Sequence, residues 1–134
     1  MKILRSFVAI LGGMAFIFLT HSGTDLILES LGVFTPPDQG FHTPWMVVTA
    51  FIYRTIYSVG GCYVAGRFAP SRPMLHAMIL GVIGLVLGGL AAILVIPMNL
   101  SPAWYPIALA AVAVPCGWLG GRLAEHHAMR HEMA

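Results

Sequence analysis

Arg54 is the residue in this sequence whose chemistry most needs an explanation. It stands in an otherwise apolar run, nine residues after Trp45 and thirteen before Arg67. Arginine does not deprotonate in proteins. If the run crosses a membrane, a cation near its middle costs about 2.5–3.5 kcal/mol on insertion scales, so it needs an anion, a carbonyl oxygen or water. An earlier apolar run offers partners: His21, Asp25 and Glu29 follow an i, i+4, i+8 spacing and share one face of a helix. Tyr53 and Tyr57 flank Arg54 and carry hydroxyls that can join the same cluster. The candidate site is therefore an intramembrane polar cluster of His21, Asp25, Glu29, Arg54 and Tyr57. Two chemistries fit it. One is an ion pair that locks two helices together. The other is a polar pocket, open on one side, that holds an anion or a metal ion or relays protons. A neighbouring Arg opposes a bound cation, so metal is the weakest of these, although His and carboxylates at helical spacing are metal-ligating types.

The elements that must position this cluster follow from composition. Of 134 residues, 58% are hydrophobic and 9% charged, with mean hydropathy +0.84. A soluble domain carries about 25% charged residues, and this chain has too few to cover a surface facing water. A cytosolic enzyme, a secreted domain, a disordered chain and a nucleic-acid binder are excluded on that ground. The expected class is all-α: a polytopic membrane protein with four transmembrane helices in an up-down bundle. The spans are expected at about 7–31, 45–68, 74–96 and 103–123, each close to the ~20 residues needed to cross a bilayer. Helices are required because the bilayer leaves no partner for an open backbone group, and no run alternates with period two. Pro and Gly mark the joints at Thr35–Gly40, Ala69–Pro73 and Pro97–Pro102. Lys2 and Arg5 before an apolar stretch imitate a secretory signal, but no small-x-small cleavage site follows, so the segment reads as a retained first span. Ser22-Gly23-Thr24-Asp25 also resembles a helix start. The first span therefore either continues through Gly23 to Leu31 or breaks there, leaving a short surface helix with Asp25 and Glu29 in water.

Charge sets the expected direction. Lys2 and Arg5 precede the first span, Arg67 and Arg72 lie at the second loop, and Arg122 and Arg130 follow the fourth span. Six of the seven basic residues thus fall on one side, and the seventh is Arg54. By the positive-inside rule both termini are cytoplasmic, and residues 124–134 form a short cytoplasmic tail. Trp45, Trp104 and Tyr105 fall at the opposite face, where an aromatic belt is expected. The site then opens to the outside.

Helices in lipid approach through small residues. Gly84 and Gly88 form a GxxxG pair that Ala92 extends, Ala113, Gly117 and Gly121 repeat the spacing, and Ser58, Cys62 and Gly66 do so in the second span. These stripes serve contacts within the chain or a homodimer. Pro115 falls inside the fourth span. Cys62 and Cys116 form no CxxC motif and read as small packing residues. His76 reads as interfacial, and His127 and His131, four apart, as part of a solvated helix end.

The combination Tyr53-Arg54, Gly60-Gly61-Cys62-Tyr63, Arg67-Phe68-Ala69-Pro70, Pro73, His76-Ala77 and Gly81 resembles small four-span bacterial inner-membrane proteins of uncharacterised function. The likeness covers the second and third spans and implies no activity or ligand. The sequence shows no nucleophile–base pair and no cofactor or metal motif. The expectation is a non-enzymatic integral membrane protein of the inner (plasma) membrane, structural or accessory in role, with no catalytic, cofactor-binding or metal-binding residues. Its expected partners are the lipid bilayer and either a second copy of itself or a membrane protein, with no nucleic acid. The alternative is a small oligomeric permease or channel with a polar pocket around Arg54.

Overall fold

A computed structural model describes all residues, Met1–Ala134. The chain is all-α. Four helices, α1 (Lys2–Ser30), α2 (Pro44–Arg67), α3 (Pro73–Val95) and α4 (Trp104–Met133), are joined by short connections that contain 3-10 turns at Pro37–Gln39 and Ile96–Met98. Three helices are long and apolar enough to cross a membrane: α1, α3 with the turn that follows it, and α4. α2 has 24 residues, about 36 Å of helix, but Arg54, three tyrosines, two threonines and Ser58 lower its hydropathy.

The helix ends have local causes. Pro44 and Pro73 occupy first-turn positions, where a fixed φ suits the helix and a missing N–H costs nothing. α1 stops where Gly32 adopts φ 73°. The N–H groups of Val33 and Phe34 then both donate to the Leu28 carbonyl, at 2.9 and 3.1 Å, and the chain turns back toward α2. Of the two forms open for the first span, the continuous one is observed: α1 runs unbroken through Gly23. α4 continues across Pro115 and then through the polar tail to Met133.

Small residues set how the helices meet. α1 and α2 are antiparallel, with Gly13 against Gly61 and Ala65 and Asp25 against Arg54. α3 and α4 are antiparallel, with Gly81 between Ala113 and Gly117, Gly84 against Ala113 and Gly88 against Ala110. α2 and α4 are parallel, with Gly120 on Cys62 and Gly66 on Ala124. The GxxxG pair of α3 therefore faces α4 of the same chain. Only 21 of 134 residues are buried, and the large side chains point outward, with Phe18, Leu19, Ile93 and Leu94 each about two-thirds exposed or more. A protein with small residues inside and large apolar ones outside needs an apolar surrounding, which supports a membrane setting. His76 stands in the first turn of α3. It is buried, and its Nε2 lies 2.9 Å from Ser6 Oγ while its Nδ1 lies 3.1 Å from the Arg72 carbonyl, joining the start of α3 to α1.

Candidate functional site

Asp25 is the hub. It projects from α1 toward α2, where two consecutive residues meet it: Arg54 donates from Nη2 to one carboxylate oxygen, and Tyr53 donates its hydroxyl to the other. Both oxygens are occupied, and this is the one ion pair in the chain. The geometry depends on the unbroken α1, because a helix restarted at Ser22 would have carried Asp25 away from α2. Arg54 is further held by Tyr105 of α4, whose ring centroid lies 6.0 Å from the guanidinium carbon, a cation–π distance. Arg54 Nε is buried and has no hydrogen-bond partner.

One helical turn nearer the basic end is a second polar layer. His21 places Nε2 3.1 Å from the Arg54 backbone carbonyl. A carbonyl only accepts, so His21 carries a proton on Nε2. Thr24 donates to the Tyr57 hydroxyl at 3.0 Å, and the His21 and Tyr57 rings lie 6.1 Å apart. Neither His21 nor Tyr57 hydrogen-bonds to the Arg54 guanidinium.

On the other side of the ion pair lies a cavity of about 210 Å³, lined by Asp25, Glu29, Arg54 and Tyr105 together with residues of the first and third connections. Those connections are tied together: Phe41 N–H donates to the Leu100 carbonyl at 2.6 Å, and His42 Nε2 lies 2.8 Å from the Asn99 carbonyl. Phe34 closes one side, stacked on Tyr53 with centroids 6.4 Å apart and edge-on to Phe41 at 5.1 Å.

The five candidate residues thus divide. Asp25 and Arg54 form the core. Glu29 lines the cavity without an ion pair or hydrogen bond. His21 and Tyr57 belong to the second layer and line no part of the cavity. Tyr105, Phe34 and the two connections are the additions from structure. The Trp104-Tyr105 pair reads from sequence as an interfacial belt, and nothing in its spacing points to Arg54. Electrostatically, Asp25 neutralises Arg54 and leaves the Glu29 carboxylate as the free charge in the cavity, which disfavours an anion there. No three His, Cys, Asp or Glu side chains are gathered to hold a metal ion. Cys62 and Cys116 are free and buried, with Cys116 Sγ 3.6 Å from the Thr55 carbonyl. Comparison of the chain with protein-family models, with curated proteins and with solved structures finds no match in any of the three.

Proposed function

We propose that the chain is a non-enzymatic multi-pass protein of a bacterial inner membrane, a four-span bundle with both ends in the cytoplasm and a structural or accessory role. The observation that carries this reading is the saturation of Asp25 by Arg54 and Tyr53. A carboxylate whose two oxygens both accept from the neighbouring helix ties α1 to α2 as a lock. The polar face of α2 is turned toward that lock, so its modest hydropathy is compatible with a fourth span. Reporter fusions placed after Gly40 and after Ser101 are expected to read external, and one after Ser71 internal. An internal reading at Gly40 would overturn the topology.

A second reading, a solute pocket of a small oligomeric permease or channel, is favoured by the cavity that reaches Arg54 and by the unpaired Glu29. Both native cysteines are buried, so a single Ser101→Cys substitution at the cavity gives a clean probe. Membrane-impermeant cationic thiosulfonates are expected to label it faster than anionic ones, and Glu29→Gln to narrow that ratio. Absence of labelling would show a cavity closed to solutes and remove this reading.

A further inference from the structure

At the basic end of the molecule α2 and α4 enclose a second, wider groove of about 430 Å³. Its walls have a common pattern. α2 contributes Ile56, Val59, Gly60 and Tyr63, and α4 contributes Leu123, His126, His127 and Arg130, both at i, i+3, i+4, i+7 spacing. The two helices run parallel, so the apolar end of each stripe lies toward the middle of the molecule and the polar end toward its basic face. Ile56 and Leu123 are 63% and 51% exposed, which leaves the apolar part open to whatever surrounds the protein.

The polar end gathers Arg67 and Arg130 with three histidines. The Tyr63 hydroxyl lies 3.3 Å from His127 Nδ1, and His127 Nε2 lies 3.0 Å from His131 Nε2. Partial desolvation and the charges of Arg67, His131 and Arg130 hold the His127 imidazole below its usual range, so the two arginines carry the charge here. The chain's one ion pair is at Asp25, so neither Glu125 nor Glu132, the acids on this stretch of α4, is paired with either arginine. Arg122, stacked 5.5 Å over the Trp118 ring on the same stretch of α4, fits the depth of a headgroup boundary, where Trp is enriched.

A cationic cluster continuous with an outward-facing apolar groove has the complementary shape and charge of one molecule type. We propose that this groove holds an anionic phospholipid, its phosphate among Arg67, His126, His127 and Arg130 and an acyl chain along Ile56, Val59 and Leu123. A soluble anion has no use for the apolar half, and a zwitterionic lipid brings its own cation to a site already positive. Basic pockets between membrane helices recognise headgroups in this way, with each Lys or Arg contributing about fivefold in affinity.

The test uses the full chain purified in detergent, with phosphatidylglycerol or phosphatidylcholine added and bound lipid counted by native mass spectrometry. Phosphatidylglycerol is expected to be retained in preference to phosphatidylcholine, and Arg67→Gln with Arg130→Gln to weaken that retention about 30-fold. Both arginines are exposed, so the folded protein should survive the change. Lys2→Gln with Arg5→Gln removes the same charge elsewhere on the basic side and is expected to leave retention unchanged. Equal retention of the two lipids, equal loss in the two double variants, or displacement of phosphatidylglycerol by millimolar inorganic phosphate would each overturn the proposal. The first would indicate indifferent lipid contact, the second diffuse electrostatics and the third a free-anion site.

Discussion

Arg54→Leu is expected to destabilise the protein by about 3–5 kcal/mol, and adding Asp25→Asn to the same chain to restore part of that loss. The sign follows from what each change leaves behind. Leu at position 54 removes the cation and strands the Asp25 carboxylate between two helices with one remaining donor, the Tyr53 hydroxyl. Removing the charge of Asp25 as well leaves no uncompensated ion, so the double variant should be more stable than Arg54→Leu alone. The side chains of Arg54 and Asp25 are 26% and 24% exposed, toward the cavity, and that partial solvation places the effect at the lower end of the range. A double-mutant cycle by unfolding in detergent or lipid measures the coupling directly. Glu29→Gln in the same cycle should couple weakly to Arg54, because Glu29 lies on the cavity wall with no bond to the guanidinium. Zero coupling between Asp25 and Arg54 would refute the lock and return Arg54 to the status of a water-lined or ligand-binding position.

The core of this site is legible in the sequence because its determinants are local. An arginine in an apolar run must find an anion, and a helical spacing brings Asp25 and Glu29 to one face of the preceding run. Which acid is chosen is not local. It depends on the register in which Gly13 meets Gly61 and on the continuity of α1 through Gly23, where Ser22 and Thr24 give contrary cues. His21 is correctly placed near the depth of Arg54, yet it serves the backbone carbonyl of that residue, a partner that side-chain types do not reveal. Tyr105, the aromatic platform under the guanidinium, belongs to α4 and arrives only through the packing of α4 on α2. The cavity roof has the same origin: Phe34 and Phe41 sit in a connection whose sequence shows turns, whereas the stacking of Phe34 on Tyr53 and the packing of Phe41 against Phe34 and Tyr105 are tertiary. The helices themselves are legible to within a residue or two at both ends of α2 and α3, since Pro44 and Pro73 mark the starts. α4 extends ten residues beyond its apolar run because Ala124–Met133 has good helix formers and no Pro or Gly to stop it.

The largest effect outside the ion pair is expected on α4, which packs on α3 through Gly117 and Gly121 and on α2 through Gly120. A Cβ at Gly117 would lie 3.0 Å from the Ala77 carbonyl oxygen and 3.2 Å from the Gly81 Cα, and one at Gly120 would lie 2.6 Å from the Tyr63 backbone nitrogen. These neighbours are backbone atoms of other helices, so no rotamer change relieves the contact and the helices themselves must separate. Gly117→Leu and Gly120→Leu should therefore each cost about 1–3 kcal/mol or more, read as a lower unfolding midpoint and a lower yield of folded protein in detergent. Gly89 and Gly12 offer the opposite case, for nothing lies within 4 Å of a Cβ at either position. Gly89→Ala removes the flexibility that glycine gives an unfolded helix segment and should stabilise by about 0.5–1 kcal/mol. The contrast separates two roles of one residue type in the same stripe-rich chain, because a glycine at a helix crossing allows close approach whereas one on an outer face only weakens its helix. If Gly117→Leu behaves like a substitution at Gly89, α3 and α4 do not meet in this register, and the contact of Gly81 with Ala113 and Gly117 is lost with it.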